Sequence, residues 1–168
     1  MRGLAEVYQS REVAEMGMDI YCDGATVGHN GKLGTVSEVG VGVYIAQTGE
    51  RIGRRLPGIS NNEAEFKALI YAMEYALRNG YADVRFHSDS RNIINRANGK
   101  RPGRKFQNKR MDAFQDKVLK LVRQFDRVEF RWIPREENTI ADAISKEYAI
   151  RMTHSIDEML DYAIAKDF

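Results

Sequence analysis

The sequence predicts an α/β fold built on a mixed sheet, and three observations support this fold class. Three strand-like apolar segments follow one another between residues 18 and 56, separated by short polar turns, as in an antiparallel meander. A long amphipathic segment then separates the third strand from the fourth, and a connection of that length allows the fourth strand to run parallel to the first. The 168 residues, 43% hydrophobic and 30% charged, have the composition of one globular domain.

The first strand is predicted to begin at Met18 and to reach Asp23, an acid that stands directly before a glycine. Met18, Ile20 and Cys22 share one face of this strand, and Asp23 lies on the other. A carboxylate embedded in a sheet is costly unless it has a partner. Asp23 is therefore expected to cap a turn, pair with a base or bind a metal ion.

Two further strands and a long helix complete the first half of the chain. The strands are predicted at 39–45, where Val and Ile alternate with smaller residues, and at 51–56, whose arginines suit a sheet edge. The helix is predicted at 61–78 and ends before an Asn-Gly pair. Its wheel places Glu65 within the alanine-rich face that should be buried and Glu63 beside the polar face.

The second half of the chain is predicted to contain two strands and three helices. In chain order they are a strand at 84–89, helices at 90–97 and 107–125, a strand at 128–133 and a helix that begins near 139. Acids again stand at special positions in these elements. Asp89 closes the fourth strand, and Asp142 lies in the first turn of the last helix.

Short extensions flank the domain, which is expected at 18–150. Residues 1–17 show no strong periodicity and are assigned no structure. At 151–168 a capping box precedes an apolar stripe, which predicts a C-terminal helix that packs either on its own domain or in a dimer contact. Neither a signal peptide nor a membrane span is visible, so a monomeric, cytoplasmic protein is expected.

Positive charge is concentrated in one loop, although the net charge is only +2. Eight basic residues and no acid stand between positions 91 and 110, where Gly and Pro interrupt the run. Such one-sided charge favours a polyanion-binding loop over an ordinary solvated surface. The loop residues expected to bind the polyanion are Lys100, Arg101, Arg104 and Lys105.

The acids at strand ends and helix starts are expected to converge, because ligands of α/β sheets gather at the carboxyl ends of strands. The four acids are Asp23, Glu65, Asp89 and Asp142. Carboxylates cannot share a dry site without cations, and oxygen ligands without a Cys or His cluster favour Mg²⁺ or Mn²⁺ over zinc. Two such ions carry out in-line displacement at phosphorus, so the chemistry indicated is phosphodiester cleavage.

These motifs, in this order, resemble type 1 ribonuclease H over roughly residues 18–146. The matching segments are Asp23-Gly24-Ala25, Ser60-Asn61-Asn62-Glu63-Ala64-Glu65, Ser88-Asp89-Ser90, and Trp132-Ile133-Pro134-Arg135-Glu136-Glu137-Asn138 with Ala141-Asp142. The resemblance implies a five-stranded mixed sheet with its strands in the order third, second, first, fourth, fifth, flanked by helices. It also implies that the four acids bind two Mg²⁺ or Mn²⁺ ions when substrate is present.

The resemblance further implies hydrolysis of the RNA strand of RNA–DNA hybrids by a two-metal-ion mechanism that leaves 5′-phosphate ends. Asn61 and Asn62 match the family residues that read the 2′-hydroxyl through the minor groove, and Ser60 precedes them. Asn108 resembles a residue that contacts the phosphate of the DNA strand. Glu63 is then an ordinary acid at a helix start.

The sequence departs from the best-studied bacterial members of that family in two places. Only the loop 99–108 stands where those members have a basic helical protrusion, as in archaeal-like and some bacterial branches. No histidine lies between Arg131 and Asp142, and Arg135 occupies that loop. Arg135 is expected either to assist at the leaving phosphate and in product release or to be a surface arginine.

Two alternative functions remain open at the level of sequence. The first is a catalytically silent nucleic-acid-binding module of the same fold, against which the presence of all four acids argues. The second is a nuclease of that fold that cuts another duplex, double-stranded RNA or DNA. The pair of asparagines argues against DNA, whereas the arginine in the last loop leaves double-stranded RNA open.

Overall fold

The computed structural model describes residues 17–26, 37–103 and 108–150, which contain one five-stranded mixed sheet. The strands are β1 (Met18–Ala25), β2 (Ser37–Ile45), β3 (Arg51–Gly58), β4 (Asp83–Ser88) and β5 (Arg127–Trp132). Their order is β3-β2-β1-β4-β5, with antiparallel pairing from β3 to β1 and parallel pairing from β1 to β5. The predicted fold class and strand order are confirmed. The two predicted extensions, apart from Gly17, lie outside the described residues.

Four helices accompany the sheet in the described part of the chain. They are α1 (Asn61–Arg78), α2 (Arg91–Ala97), α3 (Lys109–Val122) and α4 (Thr139–Ile150), and a 3₁₀ turn at Arg135–Glu137 precedes α4. α3 is shorter than the predicted 107–125. Asn108 is extended and caps its start with its side chain, and after Val122 the chain forms turns in which the Gln124 and Phe125 N–H groups donate to Leu121 and Val122. None of the described helices is long and apolar enough to cross a membrane.

Helices approach β1 and β2 closely from opposite faces of the sheet. A Cβ added at Gly24 would lie 2.1 Å from the backbone of Ala64, so the start of α1 lies against the end of β1. On the other face a Cβ at Gly42 would lie 2.3 Å from the Ala141 carbonyl oxygen of α4. Since Gly42 pairs with Asp23, both helices meet the sheet beside that acid.

The structure corrects the prediction for the two acids at the start of α1. Glu63 is fully buried, whereas Glu65 is only partly buried. The helical wheel of α1 could not show this, because the groups that surround Glu63 include Arg110 from α3, which packs beside α1. Glu65 instead lies near the carboxyl ends of β1 and β4.

Candidate active site

Three carboxylates from different elements meet at the carboxyl ends of β1 and β4. Asp23 comes from β1, Glu65 from the second turn of α1, and Asp89 from the position just after β4. One carboxylate oxygen of each lies within 4.8 Å of the other two. The parallel pairing of β1 with β4 brings their ends together, and the close approach of α1 at Gly24 supplies the third acid.

α4 places a fourth acid and a hydroxyl group beside this cluster. The Ser145 hydroxyl donates a hydrogen bond of 3.1 Å to Oδ2 of Asp23, and it also lies 2.9 Å from the Asp142 carbonyl oxygen. The Asp142 carboxylate accepts a hydrogen bond of 2.9 Å from Lys146 and lies 4.0 Å from Arg135. Asp142 lies outside the group of three acids, and the Ser145 hydroxyl connects it with Asp23.

Burial and the charge of Asp89 make Asp23 and Glu65 hard to ionise. Burial raises the pKa of Asp23 to about 8, and the charge of Asp89 and the hydrogen bond with Asp142 act in the same direction. Burial also raises the pKa of Glu65, although a hydrogen bond with Ser90 opposes the effect. For Asp142, burial raises the pKa, but the hydrogen bonds with Lys146 and Asp23 and the charges of Lys146 and Arg135 together outweigh it, so the pKa is lowered.

The donor set fits a hard divalent cation. The three clustered ligands are carboxylate oxygens, the type that Mg²⁺ and Mn²⁺ prefer. Asp23 is 6% exposed, and the nearby bases Lys146 and Arg135 both lie on the Asp142 side. The negative charge around Asp23 is therefore poorly compensated by the protein itself, which is the condition that a bound cation relieves.

Ser60 provides the cap of α1, which leaves both following asparagines for other contacts. Its hydroxyl accepts a hydrogen bond of 3.2 Å from the Glu63 backbone N–H. Asn61 uses its side-chain oxygen to accept hydrogen bonds from the backbone N–H, at 3.3 Å, and the hydroxyl of Thr26. Asn62 is exposed. The two amides thus lie about one helical turn before Glu65 with their NH₂ groups not needed for capping.

The predicted polyanion-binding residues divide into three groups. Asn108 accepts hydrogen bonds from two backbone N–H groups of α3 through Oδ1, and Lys100 is exposed. Arg101 is engaged by acids of α3, at 2.7 Å from Asp116 and 3.8 Å from Asp112. Arg104 and Lys105 lie outside the described residues.

An arginine and a tryptophan beside Asp89 were missed at the sequence level. The Arg91 guanidinium lies 3.7 Å from the centroid of the Trp132 ring, and the Trp132 indole N–H donates a 3.0 Å hydrogen bond to the Asp89 carbonyl oxygen. Arg91 follows Asp89-Ser90 directly, which was an available signal. Ser145 was also missed, although it stands one helical turn after Asp142.

Sequence comparison identifies a family and a relative. The family model described as "reverse transcriptase-like" matches residues 30–148. Ribonuclease HI of Halobacterium salinarum is 33% identical over 131 residues, which cover 76% of this chain and 61% of that protein. The match thus spans less than two thirds of the length of this relative.

Solved structures of two proteins resemble the chain. The crystal structure of RNase H1 from Halobacterium salinarum matches with a TM-score of 0.66 and 25% identity, covering 79% of this chain and 97% of that one. LC11-RNase H1, solved in complex with an RNA/DNA hybrid, also gives a TM-score of 0.66, with 24% identity and coverage of 82% and 99%. The chain shares the fold of these structures.

Proposed function

We propose, because this chain belongs to the reverse transcriptase-like family and has a ribonuclease H-like domain, that it is an endonuclease for the RNA strand of RNA–DNA hybrids. The observation that carries the proposal is the convergence of Asp23, Glu65 and Asp89 within 4.8 Å at the ends of parallel strands. The relatives named ribonuclease H support the choice of substrate. The proposed catalytic domain is 18–150, flanked by extensions at 1–17 and 151–168.

The four acids Asp23, Glu65, Asp89 and Asp142 are proposed to hold two Mg²⁺ or Mn²⁺ ions. When bound, such ions supply an activated water and stabilise the leaving 3′ oxygen, which leaves a 5′-phosphate on the product.

Neighbouring groups hold these acids in place. The Ser145 hydroxyl orients Asp23 by its 3.1 Å hydrogen bond, and the Trp132 indole fixes the backbone of Asp89. Lys146 holds the Asp142 carboxylate.

Asn61 and Asn62 are proposed to recognise the RNA strand. The Asn61 oxygen is occupied by Thr26, which leaves its NH₂ group to donate, and the exposed Asn62 amide can both donate and accept. A 2′-hydroxyl, itself a donor and an acceptor, suits this pair. Ser60 supports both residues by capping α1.

Groups near α3 are proposed to bind the DNA strand. The Oδ1 atom of Asn108 caps the helix, which leaves its NH₂ group for a phosphate oxygen. The loop bases Lys100, Arg101, Arg104 and Lys105 add positive charge that favours the phosphate backbone.

Arg135 is proposed to act on the phosphate at the site. Its side chain is 72% exposed and 4.0 Å from Asp142, close enough to the acids to reach a group bound there.

One cleavage assay tests the proposal directly. Labelled RNA–DNA hybrid, double-stranded RNA and double-stranded DNA are incubated with the chain in Mg²⁺ or Mn²⁺. Internal cuts in the hybrid RNA with 5′-phosphate ends are expected. Asp89→Asn should slow cleavage by about 100-fold or more, since several kcal/mol of charge stabilisation are lost. The matched control is Asp126→Asn, which alters an exposed acid beyond α3 and should leave the rate unchanged.

The other outcomes identify the alternatives. Hybrid binding without cleavage in either metal indicates a silent binding module. Faster cleavage of double-stranded RNA or DNA assigns a different substrate to the same site. Undiminished hybrid cleavage by Asp89→Asn contradicts the proposed role of this acid.

A further inference from the structure

A buried carboxylate connects the two helices that carry the proposed substrate contacts. Glu63 of α1 is 0% exposed, and Arg110 of α3 binds it with both arms of its guanidinium, at 2.9 Å and 2.6 Å. Lys67 lies 3.3 Å from the same carboxylate. Glu63 is outside the group of clustered acids, so this ion pair is available for a separate role.

Each partner of this pair is also tied to a proposed recognition segment. The Glu63 backbone N–H donates to the Ser60 hydroxyl at 3.2 Å, and its carboxylate accepts from the Ile59 N–H at 3.4 Å. On α3, the Arg110 backbone N–H donates to Oδ1 of Asn108 at 3.1 Å. The ion pair therefore joins the segment that presents the two asparagines to the segment that presents Asn108.

The physical chemistry of such a pair favours a geometric role. Glu63 is removed from water, whereas the Arg110 side chain is 53% exposed. The cost of burying the carboxylate offsets much of its attraction to the half-exposed guanidinium, so the pair adds little net stability. A two-armed arginine–carboxylate contact is nevertheless strongly directional. The apolar contact between the helices, such as Phe66 with Phe114 at 5.8 Å between ring centroids, has less directional preference.

We propose that the Glu63–Arg110 ion pair is a positioning element that fixes the distance between the Asn61-Asn62 pair and Asn108. A duplex whose two strands contact the asparagine pair and Asn108 at once then binds residues that are already correctly spaced. Less binding free energy is therefore lost in ordering these residues. A single strand that contacts only the asparagine pair or only Asn108 gains nothing from the ion pair. The inference rests on the proposed function and adds a determinant of duplex affinity to it.

Steady-state kinetics on the hybrid test the role of the pair. Glu63→Gln and Arg110→Met should each raise KM roughly tenfold, equivalent to about 1.4 kcal/mol, with kcat nearly unchanged. Arg110→Lys should raise KM less than Arg110→Met does, because an ammonium group keeps the charge. Some increase should remain, because an ammonium group cannot form the two-armed contact with the Glu63 carboxylate. Arg110→Lys also keeps the test available if Arg110→Met does not fold.

Two comparisons separate positioning from simpler explanations. If Arg110 only attracted phosphate, Glu63→Gln would free its charge and lower KM, whereas positioning predicts an increase. The matched control is Arg85→Met, which breaks another two-armed contact, with Asp19 at 2.8 Å and 2.9 Å, away from the site. It should lower the thermal midpoint without changing KM, so an equal KM increase in this variant would show a general structural effect.

Direct binding supplies the second readout. With Asp89→Asn as the parent to prevent cleavage, fluorescence anisotropy should show roughly tenfold weaker hybrid binding by Glu63→Gln and unchanged binding of single-stranded RNA and DNA. Equal weakening for all three ligands, or an unchanged KM in both Glu63→Gln and Arg110→Met, overturns the positioning role while wild-type cleavage stands. A wild-type chain that neither cleaves nor binds the hybrid overturns the proposed function and this inference together.

Discussion

Asp19, a partly buried acid of the central strand β1, is held in its charged form. The Arg85 guanidinium donates to its two oxygens at 2.8 Å and 2.9 Å, and His87 and Gln47 each lie 2.9 Å from the carboxylate. The Arg85 hydrogen bonds, with those of His87 and Gln47, hold the pKa of Asp19 well below its ordinary value although burial opposes them. Asp19 thus stabilises the fold as an anion.

This network predicts a pH-dependent loss of stability. The pKa of Asp19 is lower in the folded than in the unfolded chain. Its contribution to the free energy of unfolding is therefore complete above about pH 4 and is lost as the pH falls further. Asp19→Asn should lower the free energy of unfolding by about 2 kcal/mol at pH 7. Thermal melts from pH 7 to pH 2.5 should show the gap to wild type closing below pH 4. Asp126→Asn should show no such gap, and a pH-independent gap for Asp19→Asn contradicts this account.

Ser145 gives a second prediction for a single residue. It is fully buried, and its hydroxyl donates a hydrogen bond that orients the Asp23 carboxylate. Ser145→Ala keeps Asp23 but removes the hydrogen bond that fixes its orientation. A bound cation would keep Asp23 ionised, and the loss of a hydrogen bond to a charged group is worth about 1.5–3 kcal/mol. The kcat on the hybrid should therefore fall roughly 10-fold or more, with KM nearly unchanged. Unaltered kcat would show that Asp23 does not depend on this hydroxyl.

At the scale of the secondary-structure elements, the packing of α4 on β2 depends on two glycines of β2. A Cβ at Gly42 would lie 2.3 Å from the Ala141 oxygen and 2.7 Å from the Ser145 nitrogen, and one at Gly40 would lie 2.2 Å from the Ser145 oxygen. These atoms belong to helix backbone, which cannot move aside alone. Any side chain there must push α4 away from the sheet, and α4 carries Asp142.

Gly42→Ala should therefore impair stability and activity together. Overpacking of this kind costs about 1–3 kcal/mol, and the displaced Asp142 should lower kcat as well. The matched control is Gly103→Ala, since no described atom lies within 4 Å of the position its Cβ would take. Thermal melts of the two variants make the comparison of stability. Hybrid cleavage by Gly42→Ala is compared with the wild type, because Gly103 lies in the proposed substrate-binding loop. Equal behaviour of both would show that α4 tolerates the shift.

At the scale of the whole molecule, the acids of the proposed metal site repel one another in the folded chain, and a bound cation should reduce this repulsion. Mg²⁺ that binds the folded chain and not the unfolded one should raise the thermal midpoint, by an amount equivalent to about 2.7 kcal/mol at 100 times its dissociation constant. Asp23→Asn should reduce this increase strongly, because it removes the most buried of the four acids proposed to bind the metal. Calorimetry with and without Mg²⁺ measures the effect. An equal increase in wild type and Asp23→Asn would place the binding elsewhere.

Much of this architecture was predictable from local patterns. Alternating apolar residues located the strands, and Asn79-Gly80 marked the end of α1, where Gly80 adopts a positive φ of 75°. Asp23 and Asp89 were identifiable because each was predicted at the end of a strand, and parallel strands bring their carboxyl ends together. The burial of Glu63 was not predictable, because Arg110 is distant in sequence and only the packing of α3 on α1 brings the two together.

The sequence by itself determined the strands, the helices, the four acids and the family they resemble, because these depend on periodicity and on residue types at short spacing. Tertiary structure alone decided which groups surround each acid. It gave Asp23 its pKa of about 8 through burial and the charge of Asp89, and it reversed the burial of Glu63 and Glu65. The physical reason is that desolvation and Coulomb interactions depend on distances in space, which residue spacing along one element does not define.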